Sequence, residues 1–222
     1  MSKLSPFITH AADYDRWYDE QKGKLIFKSE LKAFKKVLPS LPEPWLEIGV
    51  GSGRFAQALG IKVGLDPSGE LLKMAKGRGI ISILGKAEQH IFPAESFGTV
   101  FLIMTLCFLD NPGIVLSEIQ GILKPNGKLA VGFVPAESKW GTFYKQKKQA
   151  GHTFYKSAKF YTYVELQSLL EQTGLAIESV VSTLFQKPSD PGAIETPVYY
   201  YDKTAGFLVV VAGKLQLPLK GE

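Results

Sequence analysis

The stretch Leu46-Glu47-Ile48-Gly49-Val50-Gly51-Ser52-Gly53-Arg54-Phe55 decides the fold of this chain. Its apolar first half predicts a buried strand, and its glycines predict a tight turn that a ligand can approach closely. The residues after Gly53 predict a helix whose first N–H groups point toward that turn. In doubly wound sheets, ligands bind in this crevice, at the carboxyl ends of the strands. A glycine turn alone can also be purely structural, so the interpretation depends on the rest of the chain.

Strands and helices alternate along most of the sequence. Strands are predicted at 45–49, 61–65, 80–84, 99–104, 128–134, 176–184 and 207–212. Helices are predicted between the first five, which indicates a parallel sheet covered on both faces. No helical pattern separates the last two strands, so they should pair antiparallel. We therefore expect an α/β fold: a doubly wound, mostly parallel, seven-stranded sheet with an antiparallel final strand and N-terminal helices (Rossmann-like).

Composition excludes several classes of protein. The 222 residues are 45% hydrophobic and 21% charged, which is typical of a globular domain, and we expect one domain over 1–222. Cys107 is the single cysteine, and the histidines are scattered, so neither a disulfide within the chain nor a metal site is expected. The first residues lack the apolar run of a signal peptide, and no apolar run is long enough to cross a bilayer. These features predict a cytoplasmic protein without a membrane segment.

The residues after the first two strands distinguish between nucleotide cofactors. Asp66 closes the second strand, where a carboxylate can accept hydrogen bonds from two ribose hydroxyls, although it can also serve as a turn residue before Ser68. The glycines follow the pattern G-x-G-x-G, whereas a dinucleotide site expects its third glycine where Arg54 stands. The spacing therefore argues against NAD.

The segment Glu47–Gly53 resembles motif I of the class I S-adenosylmethionine-dependent methyltransferases. The resemblance is to the small-molecule type related to the ubiquinone and menaquinone biosynthesis methyltransferases. Further segments resemble other motifs of the family in the same order, namely 63–68, 85–88 with 92–93, 96–100, 123–129 and 160–174. The resemblance extends from about Tyr14 to Lys214.

The resemblance implies that S-adenosylmethionine is the cofactor. Gly49, Gly51 and Gly53 would admit its methionine portion. Glu47 would anchor the amino group, directly or through water. Met104, which ends the fourth strand, would face the sulfonium through its backbone.

The resemblance also implies an adenosine site. Asp66 would hold the ribose hydroxyls, Pro67 would pack on the adenine, and the backbone N–H of Ala87 would meet the adenine ring. Lys86 stands where the family places an aspartate that accepts from the adenine amine. Because lysine cannot accept a hydrogen bond, that contact would be lost or would move to Glu88.

The acceptor side is expected in three segments: an N-terminal helical cap, 1–40, and two insertions, 135–161 and 185–203. Their aromatic residues could wall a pocket, although each one alone is more often a packing residue. These residues are Tyr14, Trp17, Tyr18, Trp140, Phe143, Tyr144, Phe154, Tyr155 and Tyr199–Tyr201. Methyl transfer from a sulfonium does not require a base, and no catalytic residue is assigned. The candidate bases are His10, Asp110, Glu137 and His152, and Cys107 is interpreted as a small buried residue.

Three functions remain open. The favoured one is transfer of a methyl group to a nitrogen, oxygen or carbon of a small molecule. The second is an RNA- or protein-directed methyltransferase, because the segment 135–161 mixes six lysines and one acidic residue with aromatic residues. Nucleic acid is nevertheless the less favoured partner. The third is a binding module that has lost catalysis, for which Lys86 and Gly98 (where the family has aspartate) are the support. The sequence predicts no oligomeric state.

Overall fold

The structure, a computed structural model, describes residues 5–215. The ends of the expected domain and of its cap, residues 1–4 and 216–222, lie outside the described residues. The chain begins with three helices: α1 (Ser5–Thr9), α2 (Ala11–Trp17) and α3 (Gln21–Val37), followed by a short 3-10 turn, Leu38–Ser40. No helix in the described range is both long and apolar enough to cross a membrane.

The sheet has the expected topology. Its strands are β1 (Trp45–Ile48), β2 (Val63–Asp66), β3 (Ile81–Leu84), β4 (Phe97–Ile103), β5 (Leu123–Phe133), β6 (Leu175–Thr183) and β7 (Phe207–Lys214). They lie in the order β3-β2-β1-β4-β5-β7-β6, and the pairs among the first five strands are parallel. β7 pairs antiparallel with both β5 and β6, which confirms the predicted fold class.

Helices cover both faces of this sheet. They are α4 (Arg54–Leu59), α5 (Gly69–Gly77), α6 (Pro112–Ile122), α7 (Lys139–Gln149) and α8 (Tyr163–Gln172), with a 3-10 turn at Leu106–Phe108. Side chains cap the starts of three of these helices. The Ser68 Oγ accepts from the Leu71 N–H, and the Ser138 Oγ accepts from the Gly141 N–H. The spacing of Thr162 and Glu165 predicts a capping box at the third, and it is present. Helix α7 lies in the lysine-rich stretch to which the sequence assigned no definite structure.

The spacing of Phe27, Leu31, Phe34 and Leu38 predicts one apolar stripe along α3 and the turn after it. Phe34 is fully buried, and the other three are half-buried and pack against the core. The buried face of α3 also contains Ile26, Glu30 and Ala33, because α3 packs on β6 and β7. On α6 the apolar pattern predicts that Ile114 is buried, and this detail is wrong, because Ile114 is 51% exposed.

A close approach of two segments explains one glycine. A Cβ atom on Gly98, at the start of β4, would overlap the carbonyl oxygen of Pro42. The Gly98 N–H also donates to the Pro44 carbonyl at 2.9 Å. The segment that leads into β1 therefore requires glycine at position 98, which is outside the ligand crevice.

Candidate active site

A cleft open to solvent lies at the carboxyl ends of β1, β2 and β4. Strand ends, the glycine turn and the N-terminal helices surround it. The lining residues are Phe7, Tyr14, Ile48, Gly49, Gly51, Leu65, Asp66, Pro67, Leu71, Gly85, Lys86, Ala87, Glu88, Ile103, Met104, Thr105, Phe108, Leu109 and Asp110. The parallel strands thus bring residues from distant parts of the chain to one edge of the sheet.

Asp66 ends β2 at the floor of this cleft and is 7% exposed. One carboxylate oxygen accepts from the Gly51 N–H at 2.9 Å, and the other accepts from the Ser68 N–H at 2.8 Å. Burial raises the pKa of Asp66, and these two N–H groups oppose the rise. The carboxylate is therefore fixed in orientation, while each oxygen keeps a second lone pair for a ligand.

The three motif glycines have left-handed φ angles, of 74° at Gly49, 53° at Gly51 and 81° at Gly53. A Cβ atom on Gly49 would overlap the Thr105 side chain, and one on Gly51 would project into open cleft, 3.8 Å from Tyr14. Gly53 differs, because its Cβ would lie 3.0 Å from Ala75 on α5. The first two glycines therefore shape the cleft, whereas Gly53 permits α5 to pack closely.

Glu47 lies on β1 beneath the glycine turn and is 2% exposed. Its Oε2 atom is buried without a hydrogen-bond partner among the described residues. Burial raises the pKa of Glu47 well above its ordinary value, and the nearby Asp66 carboxylate raises it further. Glu47 faces a small pocket that Gly49 and Tyr14 share with the main cleft. A buried carboxyl with a free oxygen at this point is suited to a cationic ligand group.

Met104 follows β4 and has a φ angle of 54°, in the left-handed backbone region that residues other than glycine rarely adopt. Its backbone N–H donates to the Gly132 carbonyl oxygen on β5 at 2.8 Å, which holds this conformation in place. Strained backbone of this kind is concentrated at functional sites.

A second cavity adjoins the cleft. Its aromatic lining residues are Phe7, Tyr14, Trp17, Tyr18, Phe108, Tyr144, Phe154 and Tyr155. Phe7, Tyr14, Met104 and Phe108 line both spaces, so the cleft and the cavity adjoin along these four residues. The arrangement can place two ligands side by side.

Comparison with known proteins identifies the family. A family model described as a methyltransferase domain matches residues 46–131. The structure of an S-adenosylmethionine-dependent methyltransferase from Thermotoga maritima, a possible histamine N-methyltransferase, is 37% identical and has a TM-score of 0.87. The match covers 96% of this chain and 99% of that chain. This chain belongs to the S-adenosylmethionine-dependent methyltransferases.

Two further relatives of this methyltransferase chain are uncharacterized proteins. One, from Methanocaldococcus jannaschii, is 34% identical over 212 residues, which are 96% of this chain and 100% of that protein. The other, from Mycobacterium tuberculosis, is 38% identical over 178 residues, which are 80% of this chain and 62% of that protein. The chain thus spans less than two thirds of the length of the mycobacterial relative.

The cleft of this methyltransferase fits the family cofactor. Seven of the nine residues predicted to bind S-adenosylmethionine line the cleft: Gly49, Gly51, Asp66, Pro67, Ala87, Glu88 and Met104. Glu47 lines the adjoining pocket instead, and Gly53 lies behind the turn. The unpartnered Glu47 oxygen suits the amino group of the cofactor, and the Asp66 carboxylate suits a ribose diol.

The loop after β3, which the resemblance assigns to adenine binding, has a lysine where the family has an aspartate. Lys86 is exposed and lines the cleft, and its backbone N–H donates to the Gln89 side chain at 2.9 Å. Ala87 and Glu88 are half-buried and also line the cleft. A carboxylate acceptor is therefore present beside the position where lysine replaces the family's aspartate.

The structure separates the predicted aromatic residues into two groups. Tyr14, Trp17, Tyr18, Tyr144, Phe154 and Tyr155 line the cavity. Trp140, Phe143 and the run 199–201 do not. Trp140 is buried beneath the cavity wall, where its Nε1–H donates to the Gln186 carbonyl, and the three tyrosines of the run 199–201 are exposed. The segment 185–203 therefore contacts Trp140 and does not line the cavity itself.

The candidate bases lie in different places. His152 lines the cavity, where burial lowers its pKa and the charge of Lys147 lowers it further. Asp110 lines the cleft and is exposed. His10 is exposed, and Glu137 accepts from the backbone at the start of α8 at 3.0 Å, so neither lines the two spaces. Cys107 is half-buried beside a small separate pocket.

Sequence reasoning missed several lining residues, and Glu30 is the most informative of them. Glu30 lies on the buried face of α3 and lines the cavity. Its signal was available, because a carboxylate spaced four residues from both Ile26 and Phe34 falls on one apolar helical face. Phe7 and Thr105 carried no comparable signal, because they reach the site only through the tertiary fold.

Proposed function

We propose that this protein transfers the methyl group of S-adenosylmethionine to a small molecule bound in the aromatic cavity. The observation that carries the proposal is that the cleft and the cavity share four lining residues, Met104 among them. A donor in the first space and an acceptor in the second would lie next to each other along these residues. The finer relation to ubiquinone and menaquinone methyltransferases stays a prediction.

The chain offers groups for each part of the donor. Asp66 would accept from the ribose hydroxyls, Glu47 would receive the amino group, and Pro67 and Ala87 would border the adenine. S-adenosylmethionine, when bound, supplies a methyl group that is already activated on a sulfonium. The protein's own task is therefore alignment of the two ligands and exclusion of water.

The acceptor side would be formed by the cap, 1–40, and the segment 135–161. Both supply aromatic walls of the cavity, which supports this assignment. The segment 185–203 supplies none of the lining residues named for the described chain. It contacts the cap instead, because Lys22 Nζ donates to the Ser189 carbonyl and the Glu195 N–H donates to Ser29 Oγ. We assign this segment a supporting role.

A small acceptor is favoured over a nucleic acid. Binding of single strands requires exposed aromatic faces between basic residues. In the lysine-rich segment, Trp140 and Tyr144 are buried, and Phe154 and Tyr155 turn toward the cavity. An RNA- or protein-directed enzyme is the second candidate, supported by the lysines of that segment, and a non-catalytic module is the third.

Substitution of Asp66 tests the donor site. Asp66→Asn removes the charge and replaces one of the two oxygens, so we expect S-adenosylmethionine to bind about tenfold more weakly or worse, a loss of about 1.4 kcal/mol. Asp190→Asn, in the exposed 185–203 segment, is the matched control and should bind normally. Equal affinity in the two variants would refute the site.

Labelled methyl transfer tests the class of acceptor. The protein is incubated with methyl-labelled S-adenosylmethionine and a cell extract, and the product is separated into acid-soluble and acid-precipitable fractions. We expect enzyme-dependent label in the acid-soluble small molecules. Label confined to RNA or protein would favour the second candidate, and tight donor binding without label in any fraction would favour the third.

A further inference from the structure

The acceptor cavity contains a buried carboxyl that the donor site does not use. Glu30, on α3, is 4% exposed and lines the cavity. No hydrogen bond or ion pair joins its carboxyl to another residue within 5–215. Burial alone raises the pKa of Glu30 to about 8. An unpaired carboxyl is costly to bury, which points to a ligand that pairs with it.

Aromatic side chains surround this carboxyl. Tyr18 and Tyr144 lie close enough to Glu30 for its charge to raise their pKa, although burial is the larger cause in both. The Tyr155 ring lies against Tyr144 in a tilted arrangement with 4.7 Å between ring centroids, and Trp17 packs edge-on against Tyr18 with 5.0 Å between centroids. Rings around a carboxylate form the surroundings that an organic ammonium prefers, because ring faces attract cations.

The other charged groups that face the cavity also favour a cation. Asp13 and Glu20 add two carboxylates at its exposed side. Lys147 is the ammonium among the described lining residues, and its Nζ lies 4.8 Å from the Phe143 ring centroid. Burial lowers the pKa of Lys147, and burial together with the charge of Lys147 lowers the pKa of His152. The lining thus contains three carboxyl groups and one lysine, with Asp13 also paired to Arg16 at 3.3 Å.

From this arrangement we propose that the methyl acceptor is a primary or secondary amine, bound as its ammonium ion by Glu30. The proposal rests on the function proposed above and names the substrate class of the same cavity. Glu30 has a second role in this proposal, because an ammonium nitrogen has no lone pair and cannot be methylated. Glu30 therefore also accepts a proton from the bound amine.

This proton transfer balances within the pair. One N–H bond of the ammonium breaks, one O–H bond forms on the Glu30 carboxylate, and the amine keeps the electron pair as its lone pair. The products are a neutral amine and a neutral carboxylic acid. Burial favours the uncharged forms of both groups, which supports the neutral pair, and Glu30 releases its proton to solvent when the product leaves.

A binding experiment tests the proposal without turnover. The protein saturated with S-adenosylhomocysteine is titrated calorimetrically with 2-phenylethylamine and with its neutral isostere 2-phenylethanol. We expect the amine to bind about tenfold more tightly, and the preference to vanish in Glu30→Gln. Glu171→Gln, on the exposed side of α8, is the control and should keep the preference.

Proton release provides a second readout that a purely structural role of Glu30 would not alter. The empty carboxyl is mostly protonated at pH 7, so pairing with an ammonium should release up to about one proton per amine bound. Calorimetry in phosphate and in Tris buffers measures this number. It should fall as the pH rises above 8 and should be absent in Glu30→Gln.

The possible results separate this proposal from the proposed function. Binding of S-adenosylhomocysteine is measured first, and its absence would refute the donor site, and with it both proposals. If the donor product binds, then absence of amine binding, equal affinity for amine and alcohol, or a preference that survives in Glu30→Gln would each overturn the role of Glu30 alone.

Discussion

At the scale of single residues, the site depends on backbone geometry as much as on side chains. Gly51 occupies left-handed backbone, donates its N–H to Asp66, and leaves open space where a side chain would stand. Met104 adopts a similar φ angle without the freedom of glycine. The turn and the end of β4 thus expose backbone toward the two ligand spaces.

Adding one methyl group at Gly51 tests this account. Gly51→Ala and Gly60→Ala both force alanine into left-handed backbone, where the strain costs about 1–2 kcal/mol of the free energy of unfolding. A Cβ on Gly60 has nothing within 4 Å, so this variant is the matched control for strain. We expect similar losses of stability by urea denaturation.

Donor affinity should distinguish the two alanine variants. The new methyl group of Gly51→Ala would occupy the cleft, so S-adenosylmethionine should bind about tenfold more weakly or worse, whereas Gly60→Ala should bind normally. Normal binding by Gly51→Ala would show that the cofactor does not approach this turn.

At the scale of secondary-structure elements, one charged cluster holds the cap over the glycine turn. Both carboxylate oxygens of Asp15, on α2, accept from Arg54 on α4 at 2.8 Å, and Arg78 donates to the same side chain at 2.8 Å. Asp19 also accepts from Arg54. Arg54 stands where a dinucleotide site would have glycine. Its hydrogen bonds to Asp15 hold α2 in place, and α2 contains Tyr14.

Loss of this cluster should be visible as a pH-dependent loss of stability. Although burial opposes the effect, hydrogen bonds from Arg54, Ser52 and Arg78 lower the pKa of Asp15. Asp15→Asn should cost about 1–3 kcal/mol of the free energy of unfolding at pH 7. Because the folded-state pKa is lowered, this stabilisation is present above the unfolded pKa of about 3.9 and is lost as pH falls toward the folded value.

Urea denaturation of the wild type and of Asp15→Asn over a pH series checks this prediction. The difference between their free energies of unfolding should be constant from pH 8 to about 5 and should shrink below about 4. A difference that stays constant to pH 3, or one that disappears at neutral pH, would contradict the role of Asp15.

The elements themselves were predictable where local patterns suffice. The strand that contains Glu47 and the capping box at Thr162 depend on neighbouring residues, and both have the expected structure. On α3 the local pattern identifies the buried Phe34, whereas the half-burial of Phe27 and Leu31 follows from the packing of α3 on β6, β7 and α4. Ile114 was predicted to be buried and is exposed, because an apolar residue in the first turn of a helix can face solvent.

At the scale of the whole molecule, the two halves of the site differ in how the sequence encodes them. Glu47, Gly51 and Asp66 lie within one strand–helix–strand unit, so local motifs single them out. Tyr14, Ala87 and Met104 reach the same cleft from other elements. The aromatic cavity combines α1, α2, α3, α7 and the turn after β4. Glu30 and Tyr144 are far apart in sequence, so only the tertiary fold brings them together.

Occupancy of the donor site should stabilise the entire fold. A ligand that binds only the folded state adds about 2.7 kcal/mol at a concentration one hundred times its Kd. For a chain of this size we expect S-adenosylhomocysteine to raise the Tm by roughly 5–10 °C, measured by circular dichroism. An unchanged Tm at that concentration would mean that the product does not prefer the folded protein.

Calorimetric titration with S-adenosylmethionine and, separately, with NAD tests the central claim most directly. The cleft at Gly51 and Asp66, the unpartnered oxygen of Glu47 and the absence of a glycine at position 54 predict binding of S-adenosylmethionine at one site per chain and no binding of NAD. Binding of NAD alone, or of neither compound, would contradict the assignment of this cleft.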